Sequence, residues 1–154
     1  MFMANNPPLP AQEFCRPFSL KELFSCLFSN RFVKSMFNDT PSLCPPGAKQ
    51  STLGEVTRIA NMHFNHFIQG QERQVITHPY LLKFIARGAA VLGANCQPGF
   101  DAVFPYLFGS TDLDEKNIGF IIVQVKNDCK FGQPNVELFR DMDPFHYGLL
   151  DEAC

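Results

Sequence analysis

The chain has 154 residues, of which 45% are hydrophobic and 18% are charged, and its formal net charge is −2. This size and composition predict a globular domain with a sizeable apolar core, and the near-neutral charge argues against a sequence-independent DNA binder. No window approaches the ~18 consecutive apolar residues of a membrane span. Six cysteines without a Cys-x-x-Cys pair, and no apolar leader, predict an intracellular protein, cytoplasmic or nuclear, with reduced thiols.

The first fifty residues predict an arm, one helix and a linker. Residues 1–12 contain three prolines, which cannot continue a helix, and they predict a loose arm. Apolar side chains then recur at intervals of three and four, which predicts one amphipathic helix with Ser19 and Glu22 forming a capping box. The apolar stripe consists of Leu20, Leu23, Phe24, Leu27, Phe28, Phe32 and Met36. Residues 38–50 are rich in proline and predict a linker.

Two further helices are predicted in the body of the protein, 51–154. The first has Ser51 or Thr52 as its cap and Glu55 in its first turn, and it ends at Gly70. Its apolar face comprises Val56, Ile59, Ala60, Phe64 and Phe67. Pro79 opens the second helix, because a proline at the first helical position loses no intrahelical hydrogen bond.

After Gly88, three short apolar runs separated by turn residues predict three consecutive antiparallel strands joined by hairpins. The runs cover 89–94, 100–108 and 118–125. Pro105 lacks a ladder donor, so the far half of the second strand is predicted to be an edge or a bulge. With a short helix over 134–142, the predicted class is α+β: a small mixed or antiparallel sheet of three or four strands flanked by helices.

Four polar side chains, in the chain order Glu55, Asp101, Gln124 and Lys126, predict a metal-dependent catalytic site. Asp101 opens the second strand, and Gln124 and Lys126 end the third on one side of it, since strand side chains alternate. Glu55 lies on the helix before the sheet. The oxygens of Asp101, Gln124 and Glu55 suit a hard divalent cation, Mg²⁺ or Mn²⁺. Lys126 would then polarise a phosphate or orient an attacking water.

A helix acid, an Asp at the start of the second strand of a hairpin and then "IIVQVK" together resemble the PD-(D/E)XK nuclease superfamily. The resemblance covers roughly residues 51–130. It implies a restriction-endonuclease-like core that uses magnesium to cut phosphodiester bonds in nucleic acid. It also implies that Asp101 binds the metal and that Gln124 stands where the second acid usually stands. By the same resemblance Lys126 is the catalytic lysine and Glu55 the auxiliary helix acid.

Two departures from the family pattern leave a second function open. Two residues separate Pro98 from Asp101 instead of the two adjoining, and Gln124 is a neutral ligand that should weaken magnesium binding. The alternative is a non-catalytic interaction module built on a decayed nuclease fold. Such a module would dock a protein partner, or a second copy of the chain, through the Phe-rich N-terminal helix.

Each site residue also has a plain structural interpretation. Lys126 with Gln124 would protect an edge strand against aggregation. Asp101 would cap the turn after "QPG", and Glu55 would interact with the helix dipole. Only the ordered set of four favours a site over these separate roles.

A second resemblance covers part of the same region. The stretch 87–128 is similar to uncharacterised proteins of mushroom-forming fungi. That similarity implies no activity. It predicts that relatives continue past Cys154 and that this chain lacks a last core helix and strand.

Overall fold

The structure is a computed structural model that describes residues 16–40, 50–70, 76–94, 99–125, 132 and 136–143. Over these residues the chain forms five α-helices and a six-stranded mixed sheet that does not close on itself, which confirms the α+β class. The predicted arm over 1–12, most of the linker and Lys126 lie outside the described residues. None of the described helices has the length and apolar character required to cross a bilayer.

The elements follow one another along the chain with one turn of 3-10 helix, Glu115–Asn117, before the last strand. They are β1 (Phe18–Ser19), α1 (Leu20–Leu27), α2 (Asn30–Asn38), α3 (Leu53–Ile59), β2 (Ala60–Met62), β3 (His66–Gln69), α4 (His78–Ala86), β4 (Ala89–Leu92), β5 (Ala102–Phe108), β6 (Ile118–Val123) and α5 (Val136–Met142).

The single N-terminal helix predicted from the apolar stripe is in fact two helices. Its predicted start is confirmed: the Glu22 N–H donates to the Ser19 hydroxyl at 3.2 Å, and the Ser19 N–H donates to the Glu22 carboxylate at 2.7 Å. Phe28 then adopts an extended conformation, and the Ser29 hydroxyl caps α2 by accepting the Phe32 N–H at 3.4 Å. The prediction was wrong here because an apolar stripe can continue across a cap.

The second predicted helix ends at Ile59 instead of Gly70. Thr52 caps α3 as expected, but the chain is extended from Ala60, where β2 pairs antiparallel with the distant strand β5. Ala60 and Met62 are fully buried in this pairing. The helical prediction was wrong over these residues because Ala60, Met62 and Phe64 also alternate with polar residues, and pairing with β5 decides for a strand.

The other predicted elements are present, but β1 and β3 were not predicted, and with β2 they give the sheet six strands instead of three or four. Pro79 lies in the first turn of α4, and α5 covers most of the predicted last helix. The three predicted strands are β4, β5 and β6, and both of their pairings are antiparallel.

β5 lies at the centre of the sheet, and its two edges differ. One edge pairs with β6 along its length. The other edge is shared, because β4 pairs with Ala102 and Val103 whereas β2 pairs with 106–108. Pro105 lies where this edge passes from one partner to the other, so its missing N–H costs no ladder bond. The prediction that Pro105 would place the far half of the strand at an edge or bulge was therefore wrong.

The shared edge makes a fork in the sheet. After β2 leaves β5, β3 runs parallel to β4, which lies between β3 and β5. Gly88 directly precedes β4 and has φ +63°, and its carbonyl accepts the Asn65 N–H at 2.8 Å. A Cβ at Gly88 would lie 3.2 Å from His63 Cε1, so both the backbone conformation and the available space favour glycine at the fork.

The sheet separates two apolar clusters. On one face α4 packs against the sheet, and this cluster contains Ile76, Leu81, Ile85, Val91, Phe100, Val103, Leu107 and Ile118. On the other face α1 packs over β2 and β5, and the buried residues there are Leu20, Ala60 and Met62. The alternation of Val103 and Phe104 between the two clusters shows that β5 contributes to both.

Candidate metal centre

Asp101 lies one residue before β5, beside the end of β6. Its N–H donates to the carbonyl of Val123 at 2.8 Å, and its own carbonyl accepts the N–H of Gly93 at 2.9 Å. Val123 is also the register partner of Ala102, so two consecutive residues face one residue of β6. This is the arrangement of a β-bulge, which redirects side chains at the end of a strand.

The Asp101 carboxylate binds the main chain of the neighbouring strand. Its Oδ2 accepts a hydrogen bond from the N–H of Val125, which lies beyond the last residue of β6. The carboxylate therefore satisfies a main-chain donor where the regular ladder ends. A carboxylate can accept several hydrogen bonds or ligand contacts, and Asp101 is exposed, so its other oxygen can reach a ligand from solvent.

Gln124 lies between Val123, the last residue of β6, and Val125, the two residues whose main chain binds Asp101. Its side-chain Oε1 is buried and has no hydrogen-bond partner among the described residues. A buried polar atom without a partner costs about 1–3 kcal/mol, and a cation at this oxygen would remove that cost. The residue predicted as a neutral ligand thus carries an oxygen to which no described residue donates, next to the residues that hold a carboxylate.

The structure places Glu55 in a cap. Its Oε2 accepts the Thr52 N–H at 3.0 Å, and its own N–H donates to Thr52 Oγ1 at 3.2 Å. α3 continues into β2 at the Phe108 end of β5, whereas Asp101 precedes the other end, ~23 Å away along an extended strand. Glu55 therefore does not lie near Asp101. Its contacts are those of a residue in the first turn of a helix, which was the structural interpretation considered for it.

The helix that packs against the hairpin supplies no acid. α4 contacts β4, β5 and β6, and its sequence HPYLLKFIA contains no Asp or Glu. Among the described residues, no three His, Cys, Asp or Glu side chains lie close enough to share a metal. Within this part of the chain, the candidate centre consists of the Asp101 carboxylate and the Gln124 amide oxygen.

Sequence reasoning missed a cavity of about 650 Å³ between α1 and the residues that follow β2. Its lining includes Phe18, Leu23 and Phe64, together with Arg16 and His63. The Nε2 atom of His63 is buried without a hydrogen-bond partner among the described residues. No local signal could have indicated this cavity, because its walls meet only through the pairing of β1 with β2.

Among the described residues, the two side chains with shifted pKa values, Glu22 and Tyr106, do not belong to the candidate centre. Burial raises the pKa of the Tyr106 phenol. The hydrogen bond from the Ser19 N–H, followed by that from its hydroxyl, lowers the pKa of Glu22. Both shifts come from packing and capping, so they bear on stability rather than on the metal centre.

Comparison with known proteins adds no family to this geometry. No protein-family model matches the chain, and neither does any curated protein or solved structure. The fold and the candidate centre therefore stand on the residues described above.

Proposed function

We propose that the chain is a metal-dependent phosphodiester hydrolase, a nuclease-like domain that acts on nucleic acid. The observation that supports it is the attachment of Asp101 to both main-chain neighbours of Gln124. This attachment sets an exposed carboxylate beside a residue whose amide oxygen receives no hydrogen bond from the described part of the chain. Mg²⁺ and Mn²⁺ take such oxygen ligands and keep several waters, which leaves room for a phosphate.

In this proposal Asp101 and Gln124 hold the cation, which supplies charge stabilisation at the phosphoryl oxygens when it is bound. The Val125 N–H fixes the orientation of the Asp101 carboxylate. Lys126, the second residue after Gln124, orients the attacking water or neutralises the phosphate. Because Gln124 is neutral, the two ligands carry one negative charge between them, and weaker cation binding than at a pair of carboxylates follows.

The direct test is cleavage of a plasmid and of a labelled oligonucleotide in Mg²⁺ or Mn²⁺. We expect activity in the wild type, none in EDTA, and a loss on the order of a hundredfold in Asp101→Asn and Lys126→Ala. Asp112→Asn is the matched control, since Asp112 is an exposed aspartate whose carboxylate accepts the Ser110 hydroxyl at 2.8 Å. Equal residual cleavage by all four proteins would refute the proposal.

One observation favours a second candidate function, a module that binds without cutting. The described part of the centre has one carboxylate, and α4 brings none to it. A module of this kind would bind nucleic acid equally well with and without metal. Mn²⁺ would then leave the melting temperature of the wild type unchanged, whereas the hydrolase predicts a rise that Asp101→Asn abolishes.

A further inference from the structure

We propose that the junction between α1 and α2 is a binding surface for single-stranded nucleic acid. In this proposal bases stack on exposed phenylalanine rings, and phosphates pair with basic side chains of α2. Neither helix contributes a residue to the Asp101 centre. The surface can therefore be tested without any cleavage.

A row of three phenylalanine rings leads from the core to the surface at this junction. The centroids of Phe24 and Phe28 are 5.9 Å apart, and those of Phe28 and Phe32 are 5.3 Å apart. Phe24 packs against the apolar cluster of α1, whereas Phe28 and Phe32 expose 42% and 54% of their surface. Aromatic rings fixed at a surface are the stacking platforms of proteins that bind single strands.

The cap at Ser29 fixes this row. Phe28 directly follows α1 in an extended conformation, and Phe32 lies in the first turn of α2, where its N–H donates to the Ser29 hydroxyl. Val33, the next residue, is buried and anchors α2 to the protein. The backbone that carries the two exposed rings is therefore fixed, which lowers the ordering cost when a base stacks on them.

The charge of this region is opposite to that of the chain. Residues 16–40 carry four basic and two acidic side chains, a net charge of +2, in a chain of net charge −2. The Glu22 carboxylate accepts a hydrogen bond from the Ser19 N–H and lies 4.0 Å from the Arg16 guanidinium. Arg31 and Lys34 are exposed on α2, which has no acid, and no described residue forms an ion pair with either. Two cations that form no ion pair with a described residue, on the same short helix as the exposed ring of Phe32, complement a polyanion that carries stacking groups.

The same features disfavour the other occupants. A second copy related by a two-fold axis would bring Arg31 and Lys34 towards their own counterparts, and like charges repel. A bilayer surface favours a continuous apolar face, but these helices have eight and nine residues, and Leu20 and Val33 are buried against the protein. A nucleic-acid base, in contrast, needs no continuous apolar face, because it can stack on one face of a single exposed ring.

The test is fluorescence anisotropy in EDTA with a labelled oligothymidylate of about 20 nucleotides, longer than the site of most single-strand binding folds. We expect Phe32→Leu to weaken binding about tenfold and Phe32→Tyr to preserve it, because stacking needs a ring and not merely an apolar side chain. Phe139→Leu, at a phenylalanine 60% exposed on α5, is the matched control and should bind like the wild type. Arg31→Gln with Lys34→Gln should reduce the slope of log K against log salt by about 1.4.

Several results would overturn the proposal. They are no binding by the wild type, wild-type affinity in Phe32→Leu, and equal affinity for a duplex of the same length. A dimer in light scattering that Phe32→Leu dissociates would assign the surface to a second copy. Binding to vesicles of anionic lipid with the same dependence on Phe32 would assign it to a membrane.

Discussion

Tyr106 lies across Gly119, its register partner in the β5–β6 pairing. A Cβ built on Gly119 would lie 2.5 Å from Cζ and 2.7 Å from Oη of Tyr106. The phenol ring therefore occupies the space that a side chain on β6 would fill. Glycine normally weakens a strand, and here the ring from the neighbouring strand supplies the missing packing.

This contact predicts that Gly119→Ala destabilises the protein by about 1–3 kcal/mol, because the ring of Tyr106 must move. The free energy of unfolding in urea measures the effect. Gly132→Ala is the control, since a Cβ there meets no described atom within 4 Å, and it should change stability by less than about 0.5 kcal/mol. Equal stability of the two variants would show that β6 can shift away from the ring.

Burial of the same phenol predicts a loss of stability in alkali. Because the folded state raises the pKa of Tyr106, it favours the neutral form, and this contribution is fully present below the unfolded value of about 10. It is lost as the pH rises through the higher folded pKa. Tyr106→Phe should remove that part of the pH dependence of the unfolding free energy, whereas Tyr80→Phe, at an exposed tyrosine, should leave it intact. Identical alkaline profiles for wild type and Tyr106→Phe would contradict this.

The capping box at Thr52 predicts separate effects of two changes at Glu55. Glu55→Ala should cost about 1 kcal/mol of stability, because the Thr52 N–H loses its acceptor. Glu55→Gln should retain most of the stability, since glutamine also completes a capping box. Neither change should alter Mn²⁺ affinity, measured by titration. Weaker Mn²⁺ binding by a fully stable Glu55→Gln would place Glu55 at the metal after all.

The buried oxygen of Gln124 predicts opposite effects of Gln124→Glu with and without metal. In EDTA the new carboxylate would occupy the buried position of Oε1, and we expect a loss of roughly 1–3 kcal/mol. With Mn²⁺ the second negative charge should strengthen cation binding, so the rise in melting temperature should exceed that of the wild type. Gln69→Glu on β3, where the glutamine is exposed, is the control. An unchanged response to Mn²⁺ in Gln124→Glu would leave the amide without a metal-binding role.

Sequence reasoning succeeded where the deciding interactions are local. Ser19 and Thr52 cap their helices through residues three positions away, and Pro79 lies in the first turn of α4, whose start it favours. The hairpin of β5 and β6 is likewise set by the turn residues between them. The same hairpin brings Asp101 to the residues around Gln124, so the sequence could predict that these two would be neighbours.

The errors concern interactions between distant segments. Ala60 and Met62 are compatible with a helix or a strand until β5 supplies a partner, and that pairing has no local signal. Pro105 could be placed in a central strand only once two different strands were known to share its edge. The bulge at Asp101 and the burial of Gln124 Oε1 depend equally on the assembled sheet.

The shared edge of β5 has a consequence for the order of folding. Leu107 and Ile118 close a short loop, whereas Ala60 and Phe108 are far apart in the sequence. Closing a longer loop costs more chain entropy, so the β5–β6 hairpin is expected to form early and β2 to join it late. Of the two residues that hold Asp101, Val123 ends this hairpin and Val125 follows it closely, so the candidate centre would already be assembled when the N-terminal helices dock.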